Sequence, residues 1–259
     1  MVEGKDMFSL KGMVSLVTGA GSGLGQAIAE AYGGFGSKVT VIDVDGRRAE
    51  AVASNITSKG GKALAIECDV SRSQEVKSAV ARAVEVWGRI DVLVNNAGIG
   101  GRSPAETMTS EMWDSVIAVN LRGSFLFCRE VGQEMIKRGR GGRVINMASI
   151  GGVVGLETGN ANYCASKGGL IALTRCLAVE WAKYGILVNA IAPSHVRTPL
   201  ISKLMEQNPE IESYFLSNIP LGRIGEPGDV VGPAIFLASP AAAFITGHTL
   251  MVDGGHTAK

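Results

Sequence analysis

Seven short runs of Val, Ile, Leu and Ala recur along a chain of 259 residues, and most are followed by a segment long enough for a helix. This alternation constrains the fold more than any other property. The runs are MVSLVTG, ending near Thr18; KVTVIDV, ending at Asp43; KALAIECDV, ending near Asp69; and IDVLVNNAG, ending at Asn95. GRVINMAS ends near Ser149, GILVNAIAP ends at Pro193, and HTLMVDGG lies close to the carboxyl end. Continuous apolar runs fit strands covered on both faces of a parallel sheet. The intervening segments, such as Ser71 to Trp87, carry apolar residues at three- and four-residue spacing, as amphipathic helices do. Successive βαβ units with right-handed crossovers produce an α/β fold with one doubly wound sheet and helices on both faces. Neither a repeat nor a linker divides the chain, so residues 1–259 read as a single domain.

The stretch from Pro193 to Gly225 departs from this regularity. It holds Pro193, Pro199, Pro209 and Pro220 and only patchy helical patterning in LISKLMEQ and EIESYFL. Placed after a strand's carboxyl end, where ligands bind in such sheets, residues 193–225 are a candidate substrate lid. An ordinary surface excursion is the competing reading.

Charge and cysteine usage exclude several classes. The 25 basic and 24 acidic residues are spread evenly, for a net charge of +1, which gives nucleic-acid or anionic-membrane binding no electrostatic support. The amino-terminal MVEGKDMFSLKGM is too polar for a signal peptide. Val230 to Val252 contains no Asp, Glu, Lys or Arg, yet its prolines and glycines predict a short helix, a turn and a strand rather than a membrane span. Cys68, Cys128, Cys164 and Cys176 lack a metal or redox spacing, so buried, reduced thiols in a cytoplasmic protein are expected, and no catalytic metal.

The turn TGAGSGLG, Thr18 to Gly25, joins the first strand to the first helix. Its glycines let the backbone approach a pyrophosphate, and the helix amino terminus offers free N–H groups and a positive dipole end. Asp43 ends the second strand, 18 residues beyond Gly25, where an acid meets the adenosine ribose hydroxyls. A carboxylate there repels a 2′-phosphate, so NAD is expected ahead of NADP. Arg47 and Arg48 stand close enough in sequence to keep NADP open. Together the turn and the acid indicate a Rossmann-type fold.

Tyr163 and Lys167 in NANYCASKGG lie four residues apart and so share one helix face. With the glycine turn, these residues resemble the short-chain dehydrogenase/reductase family, in its classical branch, over about Leu10 to Gly255. Thr18, Gly19, Gly23 and Gly25 match the family's T-G-x-x-x-G-x-G, and Asn95 to Gly98 match its NNAG. Asn120, Ser149, Tyr163 and Lys167 match its remaining site positions, while Ile245–Gly247 and Val252–Gly255 resemble its carboxyl end.

The resemblance implies an oxidoreductase acting on CH–OH groups, which moves a hydride between NAD and a secondary alcohol or ketone. Tyr163 is the implied general base and acid, because hydride transfer needs a matching proton transfer at oxygen. A positive charge about 4 Å away is worth up to roughly 4 kcal/mol at an effective dielectric of ~20, so Lys167 is expected to lower the phenol. Ser149 would hold the substrate oxygen, Lys167 would also bind the nicotinamide ribose, and Asn120 would secure Lys167 through a water. Gly19, Ser22, Gly23, Leu24, Asp43, Asp69, Val70, Asn96, Ala97, Gly98, Tyr163, Lys167, Pro193, Val196 and Thr198 are the implied cofactor contacts. Pro193-Ser194 replaces the family's usual Pro-Gly, which stiffens the base of the lid. Arg102, Glu157, His195 and Arg197 are candidates to enter the substrate pocket. The family's habit also implies a homotetramer, with Ser110 to Arg138 and Asn162 to Tyr184 as interface segments. Two other readings stay open: an NADP-dependent 3-oxoacyl-thioester reductase, and a catalytically silent binding protein on the same fold.

Overall fold

All five residues of β1 (Val14–Thr18) are buried, as a strand covered on both faces requires. Six further strands join it in parallel register: β2 (Lys38–Asp43), β3 (Lys62–Glu67), β4 (Val92–Asn95), β5 (Gly142–Met147), β6 (Ile186–Pro193) and β7 (Thr249–Val252). The sheet order is β3-β2-β1-β4-β5-β6-β7. This is a computed structural model, and it describes residues 7–156 and 159–259. Each strand ends within about two residues of the position its sequence run indicates.

Helices α1 (Gly23–Gly34), α2 (Gly46–Ser58) and α9 (Pro227–Ala238) cover one face, where Ile28, Tyr32, Val52, Ile56, Val230 and Ile235 pack with Val39 and Val41. On the other face, α3 (Ser73–Trp87), α5 (Ser124–Arg138) and α6 (Ala161–Trp181) bring Val76, Phe127, Val131 and Leu177 against Leu16, Leu93 and Val188. Two buried devices fix these layers. The Tyr32 hydroxyl donates to the Ala234 carbonyl at 2.8 Å, tying α1 to α9. Gly132 in α5 lies so close to α6 that a Cβ there would stand 2.6 Å from the Trp181 ring.

Three features refine the sequence expectation. The segment Ser110 to Arg138 is not one helix: α4 (Ser110–Ile117) meets α5 through a π-helical turn, Ala118–Gly123. The Pro193–Gly225 stretch folds as two helices, α7 (Pro199–Gln207) and α8 (Pro209–Asn218), with Met205, Phe215 and Ile224 forming a small core of their own. Val230 to Val252 divides into the end of α9, a 3-10 turn and β7, and no helix among the described residues is long and apolar enough to cross a membrane.

Candidate active site

The strand order reverses direction at β1 and β4, so the loops leaving their carboxyl ends part and open a crevice. The turn after β1 lines it. Gly19 has φ +59°, and a Cβ there would come 2.7 Å from Ala97 Cα, so only glycine allows the two loops to approach this closely. Thr18 Oγ1 accepts from Asn96 N at 3.0 Å and Ala97 N at 3.1 Å, while Asn96 Nδ2 donates back to Gly19 O at 3.0 Å. Ser22 makes no capping bond to α1, which leaves the first N–H groups of that helix for an anion.

Asp43 sits at the end of β2, and its two oxygens accept from Gly21 N at 2.8 Å and Asp45 N at 3.0 Å. Each carboxylate oxygen keeps lone-pair capacity for a further donor. Arg48 pairs with Asp45 at 3.3 Å, and neither Arg47 nor Arg48 lines the crevice. The groove, about 510 Å³, is bordered by Gly19, Ser22, Gly23, Leu24, Asp43, Asp69, Val70, Asn96, Ala97, Gly98 and Thr198. A glycine cradle, an uncapped helix start and a carboxylate at its far end fit a dinucleotide.

Leu24, Asn96, Gly98 and Thr198 also border a second cavity of about 480 Å³, which Ser149, Tyr163, Lys167, Pro193 and Val196 complete. Ser149 follows β5 and accepts from Gly151 N at 3.1 Å, which orients its hydroxyl. Tyr163 stands in the first turn of α6. The Lys167 ammonium, one turn on, donates to Met147 O at 2.6 Å and lies 5.7 Å from the centre of the tyrosine ring. Asn120, alone among the sequence-indicated site residues, lines neither cavity. It is buried in the π-helical turn, where Oδ1 accepts from Ile99 N at 2.8 Å and Nδ2 donates to Ser166 Oγ at 3.1 Å. A Cβ on Gly98 would meet both Asn120 Oδ1 at 3.4 Å and Lys167 Nζ at 3.6 Å, so glycine keeps open the gap between them.

The electrostatics differ from the sequence expectation. Burial pushes the Tyr163 phenol above its ordinary value, with a hydrogen bond to Ser149 pulling the other way. Burial also brings Lys167 down to about 8. Desolvation disfavours both charged forms.

Of the four candidate pocket residues, Arg102 and His195 line the second cavity. Arg197 does not: it pairs with Glu212 at 3.2 Å and Glu226 at 3.3 Å, bracing α8 against the start of α9. Glu157 lies outside the described residues. Ser194 ties the lid base to the end of β7, its N–H donating to Val252 O at 3.2 Å and its hydroxyl to Asp253 O at 3.3 Å. Leu156, Ile201 and Leu204 form the apolar wall of the second cavity, from the two stretches, 151–160 and 194–221, that the sequence marks as pocket lining; sequence reasoning missed Ile99 beside them, and it missed His256. Among the described residues no group of His, Cys, Asp and Glu is arranged to hold a metal ion.

Fold and crevice together define a dinucleotide-binding α/β protein with a tyrosine–lysine pair beside the cofactor groove. A family model described as enoyl-(acyl carrier protein) reductase matches residues 19–257. A D-threitol dehydrogenase of Mycolicibacterium smegmatis is 42% identical over 252 residues, covering 97% of this chain and 95% of its own. An NAD-dependent glycerol dehydrogenase of Listeria innocua is 39% identical, with coverage of 97% and 96%. A crystal structure of a putative NAD(P)-dependent gluconate 5-dehydrogenase from Beutenbergia cavernae, with bound NADP, superposes with a TM-score of 0.92 at 40% identity, covering 98% of this chain and all of that one. The chain belongs to the short-chain dehydrogenase/reductase family, whose members bind NAD(P).

Proposed function

We propose that the protein is an NAD-dependent dehydrogenase/reductase of a secondary alcohol and its ketone, with Tyr163 as the general acid and base. The observation that carries this reading is the convergence of Ser149, Tyr163 and Lys167 on the cavity that continues the dinucleotide groove. Bound in that groove, NAD would supply the hydride acceptor or donor. In the oxidative direction Tyr163 Oη takes the carbinol proton, and in reduction it returns one. Ser149 Oγ holds the substrate oxygen beside it.

Burial alone leaves Tyr163 a poor base, so positive charge must offset it. Lys167 at about 8 is still largely protonated at neutral pH. That ammonium, beside the tyrosine ring, favours the phenolate over the neutral phenol. Asn120 acts from behind, through a water in the gap that Gly98 leaves beside Lys167.

Asp43 supports NAD over NADP, and the pairing of Arg48 with Asp45 takes up the nearest cation that a 2′-phosphate would use. A 3-oxoacyl-[acyl-carrier-protein] reductase of Synechocystis, 41% identical over 251 residues, supports a second reading, an NADP-dependent reductase of 3-oxoacyl thioesters. Residues 193–225 serve as the substrate lid, because Ile201 and Leu204 border the active cavity while α7 and α8 keep their own small core. A homotetramer rests on Trp113, Phe125 and Val179, large apolar side chains exposed on α4, α5 and α6. Four free thiols support a reducing, cytoplasmic setting.

The test is reduced-nicotinamide formation across secondary alcohols, polyols and hydroxyacyl thioesters, with NAD and NADP in parallel. Turnover with NAD is expected. Turnover with NADP alone would replace this reading with the acyl reductase. Tyr163→Phe should lower kcat by about 10²- to 10⁴-fold while NAD still binds in a fluorescence titration. Unchanged turnover would remove Tyr163 from the mechanism.

A further inference from the structure

The active cavity does not end at its apolar wall. Arg102, Leu156, Asn160 and His195 also border a smaller chamber of about 270 Å³, closed by Ile211 and Phe215 of the lid and by His256 near the carboxyl end. Ser149, Tyr163 and Lys167 line only the larger cavity. The cleft is therefore two-chambered, with the reacting groups in one part and a distinct set of polar groups in the other.

That set is electrostatically one-sided. The imidazole of His195 stacks on Phe215 with ring centres 3.6 Å apart, and His256 stands 5.9 Å from it. Burial, and then the positive fields of His256 and Arg102, bring His195 down to about 4. Burial disfavours a charge of either sign there, so only the fields of His256 and Arg102 bear on the sign, and both favour an anion. Among the described residues no carboxylate lines either chamber, and Arg102 has no ion-pair partner. Asp253, held charged by bonds from Gly255 N, Thr257 N and the Thr257 hydroxyl, offsets part of the His256 field but lines neither chamber. Moreover, His256 Nδ1 is buried without a hydrogen-bond partner in the protein.

We propose that the smaller chamber is an anion subsite, formed by Arg102, His195 and His256, that receives the charged end of a substrate whose carbinol carbon reacts at Tyr163. The substrate class is thus an alcohol that carries a carboxylate or a phosphate, with its anion remote from the oxidised carbon. A 2-hydroxy acid, whose charge adjoins the reacting carbon, does not fill both chambers. Arg102 supplies the fixed charge. His195 is neutral above about pH 4 and contributes a hydrogen bond and the stacked wall that holds the lid helix α8.

This inference rests on the dehydrogenase reading, and binding separates the two. Calorimetric titration of an aldonate, a polyol phosphate and the neutral polyol of equal chain length into the protein with NAD needs no turnover. At least one anionic ligand is expected to bind roughly 10- to 100-fold more tightly than the neutral polyol, as charge-assisted hydrogen bonds allow. Arg102→Gln should bring that ligand down to the neutral polyol's affinity, and His256→Gln should erase part of the difference. Which anion gains more distinguishes carboxylate from phosphate. Arg102 is exposed and makes no hydrogen bond among the described residues, so its variant is expected to melt at the wild-type temperature. Equal binding of charged and neutral ligands, or a preference that survives Arg102→Gln, would overturn the subsite. In that event, NAD turnover of neutral alcohols that depends on Tyr163 would leave the dehydrogenase reading standing. Arg102-dependent anion binding without turnover of any alcohol would sink that reading and keep the subsite.

Discussion

At the scale of single residues, Asp43 holds two duties in one carboxylate. It fixes the glycine turn through Gly21 N and Asp45 N, and it borders the groove. In Asp43→Asn, one oxygen becomes an NH2 group, which cannot accept from a backbone N–H. We expect a stability loss of about 1–3 kcal/mol by denaturant titration, because a part-buried donor loses its partner. The ratio of kcat/KM for NAD over NADP should fall at least 10-fold in the same variant. An unaltered ratio would move nucleotide choice elsewhere. The turn and the acid were legible because each keeps a fixed place relative to a strand end. Tyr163 and Lys167 were legible because helical periodicity puts them on one face. His256 carries no such mark: it reaches the substrate side only because the chain after β7 folds back under the lid. For Arg197 the sequence left pocket and surface both open for the converse reason, since its distance from Glu212 and Glu226 depends on how α8 packs.

At the scale of elements, α6 carries the tyrosine–lysine pair, and its position depends on contact with α5. A methyl group at Gly132 would overlap the Trp181 ring, so Gly132→Ala should cost about 1–3 kcal/mol despite alanine's better helix propensity. Thermal melts test the cost, and a drop in kcat larger than the drop in folded fraction would show that α6 has shifted. A stabilised variant would mean that the two helices separate without penalty. The strands and most helices followed from apolar runs and spacing. The π-helical turn did not, because the apolar pattern runs on from α4 into α5 while the additional backbone residue leaves no trace in composition. The lid helices were equally obscure: their apolar residues serve a core of only a few side chains, too small to impose a strong period.

For the whole molecule, burial of basic groups sets a pH dependence. His195 titrates at about 4 in the folded chain against an ordinary value of 6.5. Between those values the unfolded chain binds more protons, so stability falls as pH drops from 6.5 towards 4. Lys167 follows the same sign higher up: the folded group releases its proton near 8 and the unfolded one near 10.5. Its penalty is full below pH 8 and fades by 10.5, whereas Cys68 and Cys128, pushed up to about 12, destabilise the fold as pH rises above 9. Comparison of variants isolates the lysine. Lys167→Met should be more stable than wild type at pH 7 by a margin that narrows between pH 8 and 10.5. A margin independent of pH would mean that the ammonium is not the source.

The sheet order carries a further consequence for descent. Asp43, Asp69 and Val70, which border the dinucleotide groove alone, precede the carboxyl end of β4, whereas Ser149, Tyr163, Lys167 and residues 193–225 all follow it. A single genetic crossover in the loop after β4 would therefore pair one ancestor's choice of nucleotide with another's choice of alcohol. Both partners to such an exchange would keep every strand in its place, so the two specificities are heritable apart.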